Sequence, residues 1–155
     1  MKHIFDTLKK LLKQRKIRNA SLDELDLILS KQTCYILQLS CEKIIKDMIT
    51  RENEASTGMG KGMALPHVKD SCVEGVVAAV GQSSAGIDFS SLDKQPVYSV
   101  ILLISPEDNP DRHLQAMEKI FRHLQQDRFR KFLRQSQSAE QIEDLLREVD
   151  ENPSL

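Results

Sequence analysis

The sequence predicts one α/β domain with helices on both faces of its sheet. Three observations lead there. Both ends of the chain carry apolar residues at helical spacing, the middle switches to short β-branched runs, and residues 97–104 (VYSVILLI) are almost continuously apolar. That last run is the mark of a central strand covered on both faces. A chain of 155 residues, 40% apolar and 29% charged, has the length and composition for one real core. No internal repeat, low-complexity tract or linker divides it.

Residues 4–16 read as an amphipathic helix, with Ile4, Phe5, Leu8, Leu11 and Leu12 on one stripe and Lys9, Lys10, Lys13 and Lys16 elsewhere. The first eighteen residues hold seven Lys/Arg against one Asp. An anionic membrane surface or partner would suit that charge. A solvated face on a packed helix is the favoured reading, because Asp23, Glu24 and Asp26 follow at once. Ser21-Leu-Asp-Glu24 is a capping box, and Leu22, Leu25, Ile28 and Leu29 continue it as a short apolar stripe. A longer helix over residues 33–49 buries Cys34, Leu37, Cys41, Ile44, Ile45 and Met48 on one side.

Residues 76–80 are short, β-branched and closed by Gly81, which suits a strand. Residues 83–96 contain Gly86, Asp88 and Pro96 and read as a loop or short edge strand. After the central run, Asn109-Pro110 opens a helix, with Asn as N-cap and Pro at the first helical position. Its stripe is Leu114, Met117, Ile120, Phe121 and Leu124. A final helix starts at a second capping box, Ser138-Ala-Glu-Gln141, and buries Ile142, Leu145, Leu146 and Val149.

Composition narrows the function. A net charge of −1 argues against a nucleic-acid binder, which carries a basic excess. No apolar run approaches the ~20 residues that span a bilayer, and lysines interrupt the apolar positions of the first sixteen residues, unlike a signal peptide. A cytoplasmic protein with no integral membrane segment is expected. Cys34, Cys41 and Cys72 are odd in number and lack CxxC spacing, so they form neither a disulfide framework nor a thiolate zinc site.

One stretch carries chemistry. ASTGMGKGMALPH, residues 55–67, places Gly58, Gly60 and Gly62 just before Pro66-His67. Glycines in this density leave backbone N–H groups uncovered, as phosphate-holding nests do. Yet the Walker A spacing is absent, and the third glycine comes too early for the dinucleotide fingerprint. Pro66 disfavours helix at Leu65, so the His67 imidazole is presented from an extended segment. Arg51 lies just before the loop at the end of a helix, and His113 lies in the first turn of the helix opened at Asn109, where the dipole favours anions. A nucleophilic imidazole, a second imidazole and a guanidinium suit phosphoryl transfer, in which positioning and charge neutralisation supply most of the catalysis. His3 lies near the terminus, and His123, about 80° around the helix from His113, reads as a surface residue. A zinc hydrolase built on His67, His113 and Asp111 lacks any recognised ligand spacing.

The run from Arg51-Glu52 through Ser56-Thr-Gly-Met-Gly to Met63-Ala-Leu-Pro-His67 closely resembles the phosphorylation motif of the mannitol/fructose/nitrogen class of enzyme IIA, from the bacterial phosphoenolpyruvate-dependent phosphotransferase system. The likeness continues in Gly86-Ile-Asp-Phe89, Leu92-Asp, Pro96-Val97, the LLISPE strand end and His113-Leu114, and covers roughly residues 44–149. It implies a mixed, roughly five-stranded sheet flanked by helices. It also implies that His67 accepts a phosphoryl group from the phosphocarrier protein HPr through Nε2, with His113 and Arg51 supporting and Thr57 binding phosphate. No metal or other cofactor enters that scheme. The nitrogen-regulatory branch is the expected one, with a regulatory target protein; a sugar-specific (fructose or mannitol) enzyme IIA relaying to a IIB cysteine is the alternative. A binding module that kept the fold without the chemistry is a third reading. Residues 1–32 are expected to form an N-terminal helical segment beyond the resemblance, and residues 33–155 the enzyme IIA domain.

Overall fold

The computed structural model describes residues 26–29, 43, 44, 46–71, 73 and 75–151. The helix expected over residues 4–16, the capping box at Ser21, the three cysteines and the boundary between residues 32 and 33 lie outside them.

The apolar run becomes the central strand. β6 (Val97–Pro106) is buried along almost its whole length. On one side it pairs antiparallel with β5 (Val77–Ile87), from Val77 opposite Ile104 to Gln82 opposite Ser99. β1 (Asp26–Leu29) closes that edge, antiparallel to β5. On the other side, β3 (Met63–Ala64) and β4 (His67–Asp70) both run parallel to β6. Ala64 faces Val100 and His67 faces Leu103, so the two segments form one strand in one unbroken register, interrupted only at Leu65 and Pro66. β2 (Gly58–Gly60) folds back antiparallel on β3 as the outer edge. The result is the mixed sheet that the sequence predicts, in the order β1-β5-β6-β3-β2 with β4 continuing along β6.

Alternation along β6 assigns its two faces. Ile101 joins Met63, Leu65 and Val80 in a core closed by Leu124, Phe129, Leu133, Ile142 and Val149. Those five come from α2 (Pro110–Leu124), α3 (Asp127–Gln135) and α4 (Ala139–Glu151). α1 covers residues 46–54, with residues 43 and 44 also helical. Lys43 Nζ donates to the buried Asp70 carboxylate at 2.7 Å and ties α1 to the end of β4. No helix among the described residues is long and apolar enough to cross a membrane.

Four expectations need correction. Residues 26–29 form a strand, not the end of a helical stripe: their backbone pairs with β5 from Asp26 opposite Gln82 to Leu29 opposite Ala79, and this sheet edge overrides local periodicity. β5 extends through the segment read as a loop, because Ile87 still pairs with Val97 after an irregularity that absorbs Gly86 at φ +80°. α3 is a separate nine-residue helix that the sequence reading does not resolve. It folds back after Gln125 and Gln126, so the Phe129 ring lies 5.8 Å from that of His123 and His123 is buried rather than on the surface. Finally, Leu114 and Leu146, assigned to apolar stripes, are 64% and 38% exposed.

The helix starts follow their caps. Asn109 Oδ1 accepts from the Arg112 N–H at 3.1 Å with Pro110 next in line. Ser138 Oγ accepts from the Gln141 N–H at 3.3 Å and starts α4.

Candidate functional site

The glycine stretch is a tight hairpin. Gly60, Lys61 and Gly62 have φ of +84°, +55° and +76°, three successive left-handed residues at the end of β2 and in the turn to β3. Glycine takes such angles without strain, which accounts for two of the three glycines. Gly58 answers a different need: a Cβ there would stand 2.7 Å from the Ser91 backbone. The hairpin tip is pinned from the neighbouring turn. Asp93 Oδ2 accepts from the Lys61 N–H at 2.7 Å, and its Oδ1 accepts from the Gln95 N–H and the Ser91 hydroxyl, both at 3.0 Å. These bonds hold the Asp93 carboxyl below its ordinary range, the Lys61 contact most strongly.

At the loop's entrance, Glu52 is buried and uses both carboxylate oxygens on one residue. Oε1 accepts from the Thr57 N–H at 2.7 Å and Oε2 from its hydroxyl at 2.6 Å. The Thr57 carbonyl then accepts from the Leu65 N–H at 3.1 Å, closing the loop onto the segment that carries His67.

His67 opens β4, and the break at Leu65-Pro66 orients it. Pro66 has no N–H to give to the sheet, while its carbonyl accepts from the Leu103 N–H at 2.9 Å. The neighbouring Leu65 carbonyl meets His67 Nδ1 at 2.9 Å. A carbonyl only accepts, so Nδ1 holds the proton and, in the neutral ring, Nε2 has the lone pair. His113, in the first turns of α2, brings its ring to 5.6 Å from that of His67, tilted by 44°. His113 Nδ1 lies 2.6 Å from the Ser105 hydroxyl of β6. Burial holds His113 below the usual imidazole range, and the charges of Lys69 and His67 push the same way.

The strand register explains this convergence. His67 lies opposite Leu103 and Lys69 opposite Ser105 on neighbouring parallel strands. These four side chains therefore share one face of the sheet, the face on which α2 packs. The structure thus gathers His67, His113, Lys69 and Ser105. Arg51 lies exposed in the last turn of α1, and Thr57 has both its donors engaged by Glu52. Sequence reasoning missed Ser105, Lys69 and Glu52. Lys69 was within reach of it, two residues after His67 in a strand and so on the same face. The pairing of Ser105 with His113 depends on the turn that brings α2 back over β6.

Among the described residues, no group of three His, Cys, Asp or Glu side chains is placed to hold a metal ion.

The chain belongs to the family described as "Phosphoenolpyruvate-dependent sugar phosphotransferase system, EIIA 2", which it matches over residues 29–149. It is 34% identical over 103 residues to the fructose-specific EIIABC component of Bacillus subtilis (strain 168), covering 66% of this chain but only 16% of that much longer protein. It is 32% identical over 128 residues to the nitrogen regulatory protein of Klebsiella oxytoca, covering 81% of this chain and 78% of that one. Among solved structures, the nitrogen regulatory protein IIA-Ntr from Neisseria meningitidis superposes with a TM-score of 0.64 at 26% identity, covering 77% of this chain and 88% of the other.

Proposed function

We propose that the chain is a phosphohistidine carrier, with His67 Nε2 as the acceptor and an HPr-type protein as the donor. The observation that carries this reading is the 2.9 Å contact between His67 Nδ1 and the Leu65 carbonyl. It leaves the lone pair on Nε2 of a partly exposed imidazole and sets the ring's direction before any partner arrives. The Nε2 electron pair forms the new P–N bond, while the pair of the donor's P–N bond returns to the donor imidazole. As the His67 ring gains positive character, the Leu65 carbonyl stabilises its Nδ1–H. His113 and Lys69 face the incoming phosphoryl oxygens, and Arg51 adds a guanidinium from the end of α1. Thr57 serves the phosphate by holding the loop through Glu52.

The same reading assigns the chain to the nitrogen-regulatory branch, with a regulatory target whose binding changes when His67 gains about 1.5 to 2 negative charges. The longer match supports this branch: 128 residues with the Klebsiella oxytoca relative against 103 with the fructose-specific component. The sugar-specific alternative, relay to a IIB cysteine, draws on the comparable identity to a fructose-specific component.

Incubation with enzyme I, HPr and labelled phosphoenolpyruvate tests the proposal. Acid-labile, base-stable label is expected on the wild type and absent from His67→Ala, with slower labelling of Arg51→Ala. An unlabelled wild type would overturn the carrier reading, and label surviving in His67→Ala would overturn the site. Adding candidate IIB domains separates the branches, because only a sugar-specific carrier is drained by one.

A further inference from the structure

The Ser105 hydroxyl beside His113 has no role in the scheme so far. Ser105 is fully buried, and among the described residues its hydroxyl makes one hydrogen bond, to His113 Nδ1 at 2.6 Å. Two arrangements fit that distance. If Nδ1–H donated to the hydroxyl, the serine proton would be left buried with no acceptor among the described residues, which folding disfavours. If the hydroxyl donates to Nδ1, every proton in the pair is used. The nearby Lys69 and the buried surroundings favour a neutral His113, which then carries its single proton on Nε2.

We propose that Ser105 is a positioning residue: its hydroxyl donates to His113 Nδ1 and fixes the tautomer that offers an Nε2–H on a ring 5.6 Å from that of His67. That N–H is a donor for an oxygen of a phosphoryl group held on His67. The two histidines thus carry opposite settings. The Leu65 carbonyl makes Nε2 of His67 a lone pair, and the Ser105 hydroxyl makes Nε2 of His113 a proton donor. The catalytic weight of this arrangement rests on the carrier reading above; the tautomer does not.

Long-range ¹⁵N–¹H NMR on the unphosphorylated wild type at neutral pH reads both tautomers directly. A protonated Nε2 and an unprotonated Nδ1 are expected on His113. A proton on Nδ1 would overturn the proposal without recourse to any variant. In Ser105→Ala, His113 is expected to become a tautomer mixture and phosphoryl transfer to slow about tenfold, the effect of one misdirected hydrogen bond. Ser105→Thr, which keeps the hydroxyl, is expected to restore both. An unchanged tautomer in folded Ser105→Ala overturns the proposal. If that variant does not fold, the wild-type spectrum alone decides. A wild type that shows the expected tautomer yet takes no label would refute the carrier reading and leave the positioning role intact.

Discussion

Glu52 holds Thr57 with two separate oxygens, one on the backbone N–H at 2.7 Å and one on the hydroxyl at 2.6 Å. A single buried side chain thereby fixes where α1 ends and where the glycine hairpin begins. Replacing it with Ala strands two donors, and hydrogen bonds to a charged acceptor contribute about 1.5–3 kcal/mol each. Glu52→Ala is expected to destabilise the fold by about 3–6 kcal/mol in urea titrations, and Thr57→Val by about half as much. The double variant should lose less than the sum of the two, since the residues share one interaction. Simple additivity would show that the contact contributes nothing.

Lys69 sits on the His67 face of β4, and its charge disfavours the protonated form of His113. Lys69→Met removes that charge while keeping the stem. The His113 pKa should rise in an NMR titration, because the imidazolium then faces one positive neighbour fewer. A fall, or no movement, would mean that Lys69 lies too far into solvent to matter.

Asp93 yields a pH prediction. Its folded pKa is lowered by the Lys61 and Gln95 N–H groups, so the ionised carboxylate is the form that the fold prefers. Its contribution is fully present above the unfolded carboxylate pKa and is lost as pH falls through the lowered folded value. Asp93→Asn is expected to flatten the acid limb of the stability profile and leave its slope near neutrality unchanged. An identical acid limb in the variant would count against this assignment.

Two glycines make a matched pair for packing. A Cβ at Gly58 would press on the Ser91 backbone at 2.7 Å, whereas one at Gly75 would meet nothing within 4 Å. Gly58→Ala is expected to destabilise by about 1–3 kcal/mol, as overpacking does. Gly75→Ala should be neutral or stabilising by about 0.4–1 kcal/mol through the unfolded chain. Equal effects in thermal or urea unfolding would contradict this reading.

The parts of the fold legible in the sequence were those dictated by local chemistry. The run Val97–Ile104 announced a central strand, Asn109-Pro110 announced a helix start, and Pro66 announced an extended His67; all three are where they were expected. What escaped was set by distant partners. Residues 26–29 have the spacing of a helix but become a strand because β5 offers a free edge. His123 reads as a surface residue until Phe129 folds over it. Within the candidate site, spacing pointed to His67 and His113 as chemical groups but could not name Ser105, whose only signal is its register opposite Lys69.

β3 and β4 lie on β6 in one register, with the Leu65-Pro66 break between them supplying the carbonyl that orients His67. The imidazole is therefore anchored by main-chain atoms of the sheet, whereas Lys61 at the hairpin tip is pinned through its N–H to Asp93 in the neighbouring turn. Side chains at the hairpin tip, such as the exposed Lys61, can be exchanged without moving the histidine. If the proposed carrier function holds, substitutions there retune partner recognition while the His67 ring stays in place.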